Sequence, residues 1–309
     1  MTQQAPVRRA AVVVNPTKFG DLGRFKSQVA ALMAEQGWAE PMWLETTAGD
    51  PGEGQARQAA QAGADLVLAC GGDGTVTSVV AGLVGRQTPL GVVPGGTGNL
   101  LARNLGLPMD VAGAVRATLT GTDRQLDVGL ANGRPFVAMA GLGLDAKMLD
   151  TASEPLKQRL GYAAYLISAL RHLWDWPVRV SLEADGERTF RRRASEVIVG
   201  NVGRLQASLP LMPDARPDDG KLDVMVLTAW GWAGWLAVGL HVLVRRRKPT
   251  PFVMHAAFRE LRVAAEHELL WEIDGELMGR TRELAIGIHP DKLLVRVPGE
   301  GRRGSRPAA

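Results

Sequence analysis

The 309-residue chain has a single cysteine, Cys70, so no internal disulfide can staple it. That scarcity suits a reducing compartment. Long apolar runs are also lacking. The most apolar stretch, Ala229 to Val244, falls short of the roughly 20 residues a spanning helix needs and is broken by glycines and His241. It predicts a core or interfacial helix. The opening MTQQAPVRRAAVVVNP carries too short an apolar run to read as a signal peptide. The five histidines, at 172, 241, 255, 267 and 289, show no metal-ligand spacing. No zinc finger, RNA-recognition motif or other nucleic-acid module is present, so no nucleic-acid partner is expected.

What is there is a globular composition, 46% hydrophobic and 22% charged, long enough to bury a substantial core. The net charge is +4, concentrated in Arg191 to Arg193, Arg245 to Lys248 and a tail around Arg302 and Arg303. A basic balance favours anionic partners. The first part of the chain alternates buried strands with helices. Strands are expected at Ala10 to Val14, Trp43 to Glu45, Asp65 to Cys70 and Pro89 to Val93. Helices are expected at Phe25 to Gln36, Glu53 to Ala62, Val76 to Val84 and Leu100 to Leu105. Unbroken apolar strands alternating with helices predict an α/β fold, a doubly wound parallel sheet.

From about Gln125 the texture changes to short β-prone runs punctuated by Gly, Asp and Asn, which predicts an antiparallel sandwich. Those runs are Pro135 to Ala138, Val178 to Glu183, Ser195 to Val199, Leu222 to Leu227, Glu260 to Val263 and Leu269 to Ile273, with Leu284 to Ile288 and Leu293 to Val297 at the end. One long amphipathic helix, Pro155 to Trp174, interrupts them. The expected organisation is an α/β nucleotide-binding domain of residues 1–127 plus about 285–300, a β-rich acceptor domain of 128–284, and a disordered tail of 301–309.

The chemistry sits in two loops. Gly71-Gly72-Asp73-Gly74-Thr75 follows the third strand, and Pro94-Gly95-Gly96-Thr97-Gly98-Asn99 follows the fourth. Glycines let the backbone approach a ligand, and amides in such turns and at the following helix N-termini bind anions, phosphate above all. Successive strand ends place both loops at the carboxyl edge of the sheet, where ligands bind. An aspartate in a phosphate nest calls for a cation or proton handling, so Asp73 points to Mg²⁺ chemistry. Neither loop is a Walker A or G-x-G-x-x-G sequence, which disfavours a P-loop NTPase or a Rossmann dehydrogenase.

GGDGT followed by a Gly/Thr/Asn loop resembles the diacylglycerol kinase catalytic family, which includes bacterial lipid kinases and sphingosine kinases. Asn15-Pro16, Thr46, GTGNLLARNLGLP (Gly96 to Pro108), LDVG (Leu126 to Gly129), GLGLDA (Gly141 to Ala146), PDARPDDGKLDV (Pro213 to Val224) and Asp274-Gly275-Glu276 extend that resemblance over nearly the whole chain. The resemblance implies a lipid kinase of phospholipid metabolism using ATP and Mg²⁺. It implies nucleotide contacts at Asn15, Thr46, Gly71, Gly72, Asp73, Gly74, Thr75, Gly96, Thr97 and Asn99. Catalytic roles fall to Asp274 as general base and to Asp73 and Glu276 around the metal. A second, structural Mg²⁺ is implied at Asp219 with the carbonyls of Arg216 and Lys221. The partner implied is a lipid acceptor at the membrane surface, reached by a cytoplasmic protein; a peripheral position on the inner membrane face and a homodimer stay open. Trp230, Trp232 and Trp235 with Arg245 to Lys248 suggest interface binding. Departures are Ser78, Ala81 and Leu100, where relatives carry Glu, Asn and Asp, and Thr17 to Gly20, where a Gly/Ser-rich turn is usual. They keep two alternatives alive: an NAD or other GGDGT-type kinase, and a nucleotide-binding regulator without catalysis.

Overall fold

The structure, a computed structural model, describes residues 7–144, 146–147, 174–186, 188–203, 211–243 and 250–299. The helix expected over Pro155 to Trp174 falls outside these except for Trp174, as do Arg245 to Lys248 and the tail from 301. The chain divides into two compact units, one ending at Leu126 and resuming at Lys292, the other running from Asp127 to Asp291.

The first unit is built on parallel strands β1 (Ala10–Val14), β2 (Met42–Glu45), β3 (Leu66–Gly71) and β4 (Leu90–Pro94) in the order β4-β3-β1-β2. The end of the last strand, β14 (Glu276–Val297), lies parallel to β4 through Val295 and Leu90. Every residue of β1, β3 and β4 is buried, which is why they read as continuous apolar runs. Ala10, Val12, Val14, Leu66, Leu68 and Cys70 pack with α1 (Leu22–Glu35) and α5 (Val111–Leu119). Helices α2 (Glu53–Gln61) and α3 (Asp73–Leu83) pack on each other and on β1 and β3. Helix α1 starts where the Asp21 carboxylate accepts from the Arg24 N–H and stops before Gly37 at φ 71. Helix α5 was not expected from the sequence. It is short, and its start signal is the single cap Asp110, which accepts from the Gly113 N–H.

The second unit is antiparallel, entered through the paired strands β5 (Thr122–Ala131) and β6 (Arg134–Phe136). Its strands run β12 (Val253–Phe258), β11 (Leu222–Leu227), β10 (Glu196–Gly200), β7 (Met139–Gly143), β13 (Glu260–Ile273) and β14. The hairpin of β8 (Val178–Ala184) and β9 (Arg188–Ala194) adds to β13. Strand β13 pairs with β8 through Leu261 to Ala265 and with β7 through Trp271 to Ile273, with a register shift between Ala264 and Leu269. That irregularity carries one strand between two layers. Phe136, Leu182, Val199, Val226, Phe258 and Trp271 fill the core of this β-sandwich. Glu260 to Val263 and Leu269 to Ile273, read as separate strands, are one, because Ala264 to Glu268 hold no Gly, Pro, Asn or Asp to turn the chain. The last two expected strands are likewise joined within β14, which passes through Pro290. The apolar stretch forms helix α6 (Gly231–Leu243). Among the described residues no helix is long and apolar enough to cross a membrane.

Candidate functional site

In the first unit the strands end in register, Val14 beside Glu45 and Cys70, and Gly71 beside Pro94. The residues that follow, Asn15, Thr46, Gly72 and Gly95, therefore line one carboxyl edge. The two glycine loops meet backbone to backbone. The Gly95 N–H donates to the Gly71 carbonyl at 2.7 Å. A Cβ on Gly96 would stand 2.7 Å from the Gly72 Cα, and one on Gly95 3.3 Å from the Gly71 Cα. Glycine is required at Gly96 by contact, not by dihedral angle.

Asp73 opens α3 and clasps the second loop. Its two carboxylate oxygens accept from the Asn99 N–H at 2.8 Å and the Leu100 N–H at 2.6 Å, at the start of α4 (Leu100–Asn104). Asn99 sits at φ 48; its Oδ1 accepts from the Gly96 N–H at 3.0 Å and its Nδ2 donates to the Gly96 carbonyl at 2.6 Å. The loop is thus folded on itself and tied to α3. The Leu100 departure leaves this intact, since its backbone does the donating. Residues 73–75 open α3, so their amides lack an intrahelical acceptor and present the positive end of the helix dipole to an anion. Thr75 is buried, its hydroxyl accepting from Asn15 Nδ2 at 3.4 Å, while Thr97 is exposed. Asn15 also caps a short 3-10 turn by accepting from the Thr17 N–H. Thr46 is buried and its N–H donates to the Val14 carbonyl. That turn brings up Lys18, whose Cε lies 3.9 Å from where a Gly72 Cβ would be. This exposed cation went unremarked in the sequence as a charge beside the loops; its only signal was its place in the turn after Asn15-Pro16. Burial pushes the Cys70 thiol up, so it serves as a small core residue.

In the second unit Asp274 and Gly275, at φ 49 and 84, form the two-residue turn between β13 and β14, with Ile273 opposite Glu276. The Asp274 carboxylate is buried and accepts from the N–H groups of Val137, Ala138 and Met139 at 3.1, 2.9 and 2.8 Å. Three amides fix its orientation and match its ionised form. Glu276 is exposed at the start of β14.

The acidic loop of this unit is organised by Asp127. Its buried carboxylate accepts from the Gly220 N–H at 2.7 Å, its own N–H donates to the Pro217 carbonyl at 2.7 Å, and its carbonyl accepts from Asn201 Nδ2. Sequence reasoning left Asp127 unassigned, although a lone carboxylate between apolar residues in LDVGL was a signal. Asp219 is exposed and accepts from the Lys221 N–H. The Asp223 carboxyl is pushed up to about 6 by burial and then by the neighbouring Asp219 and Asp214, against the pull of Lys221. Asp214, Asp219 and Asp223 crowd one another here, and such carboxylates suit a hard cation that keeps several waters. Among the described residues no three His, Cys, Asp or Glu side chains converge as a metal cluster, so such a site depends on carbonyls and water.

These features define a class: a phosphate-binding α/β unit followed by an antiparallel sandwich. The diacylglycerol kinase catalytic domain profile matches residues 9–131, and the YegS C-terminal NAD kinase beta sandwich-like domain matches 138–297. The chain belongs to the diacylglycerol kinase and YegS-like lipid kinase family, whose members are phosphotransferases with an alcohol acceptor. It is 29% identical over 279 residues to the diacylglycerol kinase of Bacillus subtilis, spanning 88% of this chain and 91% of that one. It is 33% identical over 251 residues to a protein of Pseudomonas aeruginosa named "Probable lipid kinase YegS-like", spanning 78% and 79%. In fold it is similar to a diacylglycerol kinase of Bacillus anthracis, with a TM-score of 0.72 at 22% identity over 95% of this chain and 98% of that one. An NAD kinase of Archaeoglobus fulgidus matches at a TM-score of 0.50 and 14% identity, over 94% of both chains.

Proposed function

We propose that the chain transfers the γ-phosphoryl group of ATP to the hydroxyl of a membrane lipid, diacylglycerol giving phosphatidic acid. The observation that carries this reading is the paired glycine loops clasped by Asp73 at one sheet edge. In it the α3 amides and the second loop hold the phosphates, Thr75 and Thr97 donate to their oxygens, and Asn15 and Thr46 border the nucleotide. Lys18 adds positive charge. Asp274 takes the proton from the lipid hydroxyl, its carboxylate aimed by the amides of Val137 to Met139. Asp73 would hold a Mg²⁺, directly or through water, and the ion would supply neutralising charge to the phosphates; Glu276 is a further carboxylate that could serve a metal. Asp219, with the carbonyls of Arg216 and Lys221, would hold a second Mg²⁺, which would tie down the acidic loop that Asp127 positions. The protein works in the cytoplasm, taking its acceptor from the membrane face.

The test is incubation with labelled ATP, Mg²⁺ and a panel of diacylglycerol, ceramide, sphingoid base, phosphatidylglycerol and NAD, followed by identification of the product. Labelled phosphatidic acid is expected. Labelled NADP would replace this reading with the nucleotide-kinase one, and ATP binding without any product would mark a regulator.

A further inference from the structure

Helix α6 carries no charged residue, and its one histidine, His241, is buried. Gly231, Gly234, Val238 and His241 are buried along one stripe. The opposite stripe carries Trp232, Leu236 and Leu240, 64%, 75% and 58% exposed and spaced four residues apart on one face. Ala233 and Gly239 fill the rest of that face, and no charged side chain interrupts it. A surface helix in water carries a polar face outward. Just before the helix, Trp230 lies between Trp174 and Trp176, at ring-centroid distances of 5.6 Å edge-on and 4.5 Å stacked. Its indole N–H donates to the Trp174 carbonyl at 3.2 Å. All three indoles are exposed, and Trp174 packs against Gly231, so they form an aromatic platform at the start of α6. Single exposed apolar residues are ordinary; a contiguous patch marks a contact surface.

The hairpin of β8 and β9 begins at this platform. Trp176 lines a small cavity with Val178 and Ala194, and the next register pair is Arg179 opposite Arg193. With Arg191 and Arg192, these line an open groove of about 630 Å³ that also holds Ser181 and Glu266. The four arginines are exposed, and none has an ion-pair partner among the described residues.

We propose that this face seats the chain on an anionic bilayer, with the indoles, Leu236 and Leu240 entering the headgroup boundary and the arginine groove taking lipid phosphates. Tryptophan favours the membrane-water interface, and guanidinium pairs with phosphate in a fixed geometry. An isologous dimer would instead set this face, arginines included, against its own copy. The proposal rests on the lipid-kinase reading for its choice of partner, but docking is measured without turnover.

The experiment is co-sedimentation with vesicles of phosphatidylcholine alone and with added phosphatidylglycerol. Thermal melts check that each variant is folded, and velocity sedimentation gives the oligomeric state. Wild type is expected to bind the anionic vesicles with a blue-shifted indole emission. Changing Arg191, Arg192 and Arg193 together to Gln should weaken that binding by about a hundredfold and leave phosphatidylcholine binding unchanged. Trp232→Ser with Leu236→Ser should weaken binding to both. Turnover of a short-chain, water-dispersed diacylglycerol should persist in every variant. Wild type that ignores anionic vesicles overturns the proposal, as do folded variants that bind like wild type. A dimer dissolved by the Trp232 and Leu236 changes would also overturn it, by making the face a contact between copies. Vesicle binding with no lipid turnover in wild type upholds the surface and counts against the kinase reading.

Discussion

At the scale of single residues, three aspartates do different work with the same side chain. Asp73 spends both oxygens on the backbone of the neighbouring loop, Asp274 gathers three amides, and Asp127 braces the acidic loop. Asp73→Asn replaces one of its two accepting oxygens with an NH₂ donor, which then faces one of the two N–H groups. It should lower kcat by at least about 10², the scale for a lost charge-stabilising group, in a protein whose circular dichroism is unchanged. Asp274→Asn should lower kcat by a similar factor and also lower Tm, because one of its three buried amides is left facing an NH₂, at a cost of about 1–3 kcal/mol. Wild-type turnover in either folded variant removes that residue from the reaction. Asp223 gives a pH signature. The folded state binds its proton more tightly than the unfolded chain, so its contribution to stability is fully present below the ordinary carboxylate range and is lost as pH rises through about 6. Asp223→Asn should therefore melt above wild type at neutral pH and alongside it in acid. Mg²⁺ should raise the wild-type Tm more at neutral pH than in acid, since ligating carboxylates must be deprotonated. Equal Mg²⁺ shifts at both pH values would argue against a cation in the acidic loop.

At the scale of elements, the two glycine loops behave as one part. Gly96→Ala puts a methyl group 2.7 Å from the Gly72 Cα, where neither backbone can yield cheaply. Displacing the phosphate cradle by a fraction of an ångström to an ångström should cost about 10²-fold in kcat/KM, read against a Tm that falls only modestly. The parallel strands and both loops were legible because full burial writes unbroken apolar runs and because the glycines punctuate them. The pairing of the loops was legible only as adjacency; the Asp73 clasp was not, since nothing local says which amides a carboxylate will choose. Boundaries in the second unit were misread where a strand changes layers without a turn residue, as between Ala264 and Leu269. Trp174 and Trp176 went unremarked because their contacts with Trp230 join segments far apart in the chain.

At the scale of the whole molecule, the second unit is a single stretch of chain while the first is made of both ends. Lys292 accepts from the Gly85 N–H through its carbonyl, Val295 lies beside Leu90, and Arg296 pairs with Asp123. Deleting the residues from Lys292 onward should therefore abolish ATP binding, measured by calorimetry, although it leaves the glycine loops untouched in sequence; retained binding would show that β4 tolerates a bare edge. The same layout fixes an order of events on the ribosome. Strand β4 emerges early, and the residues that cover its outer edge are synthesised about two hundred positions later, roughly 10–40 s at ordinary elongation rates. Throughout that interval the nascent nucleotide unit carries an open strand edge, the kind of surface on which chains cross-pair. Slow translation or crowded expression should thus penalise this protein through its earliest-made part, and the last few codons before the tail act as the closing stitch.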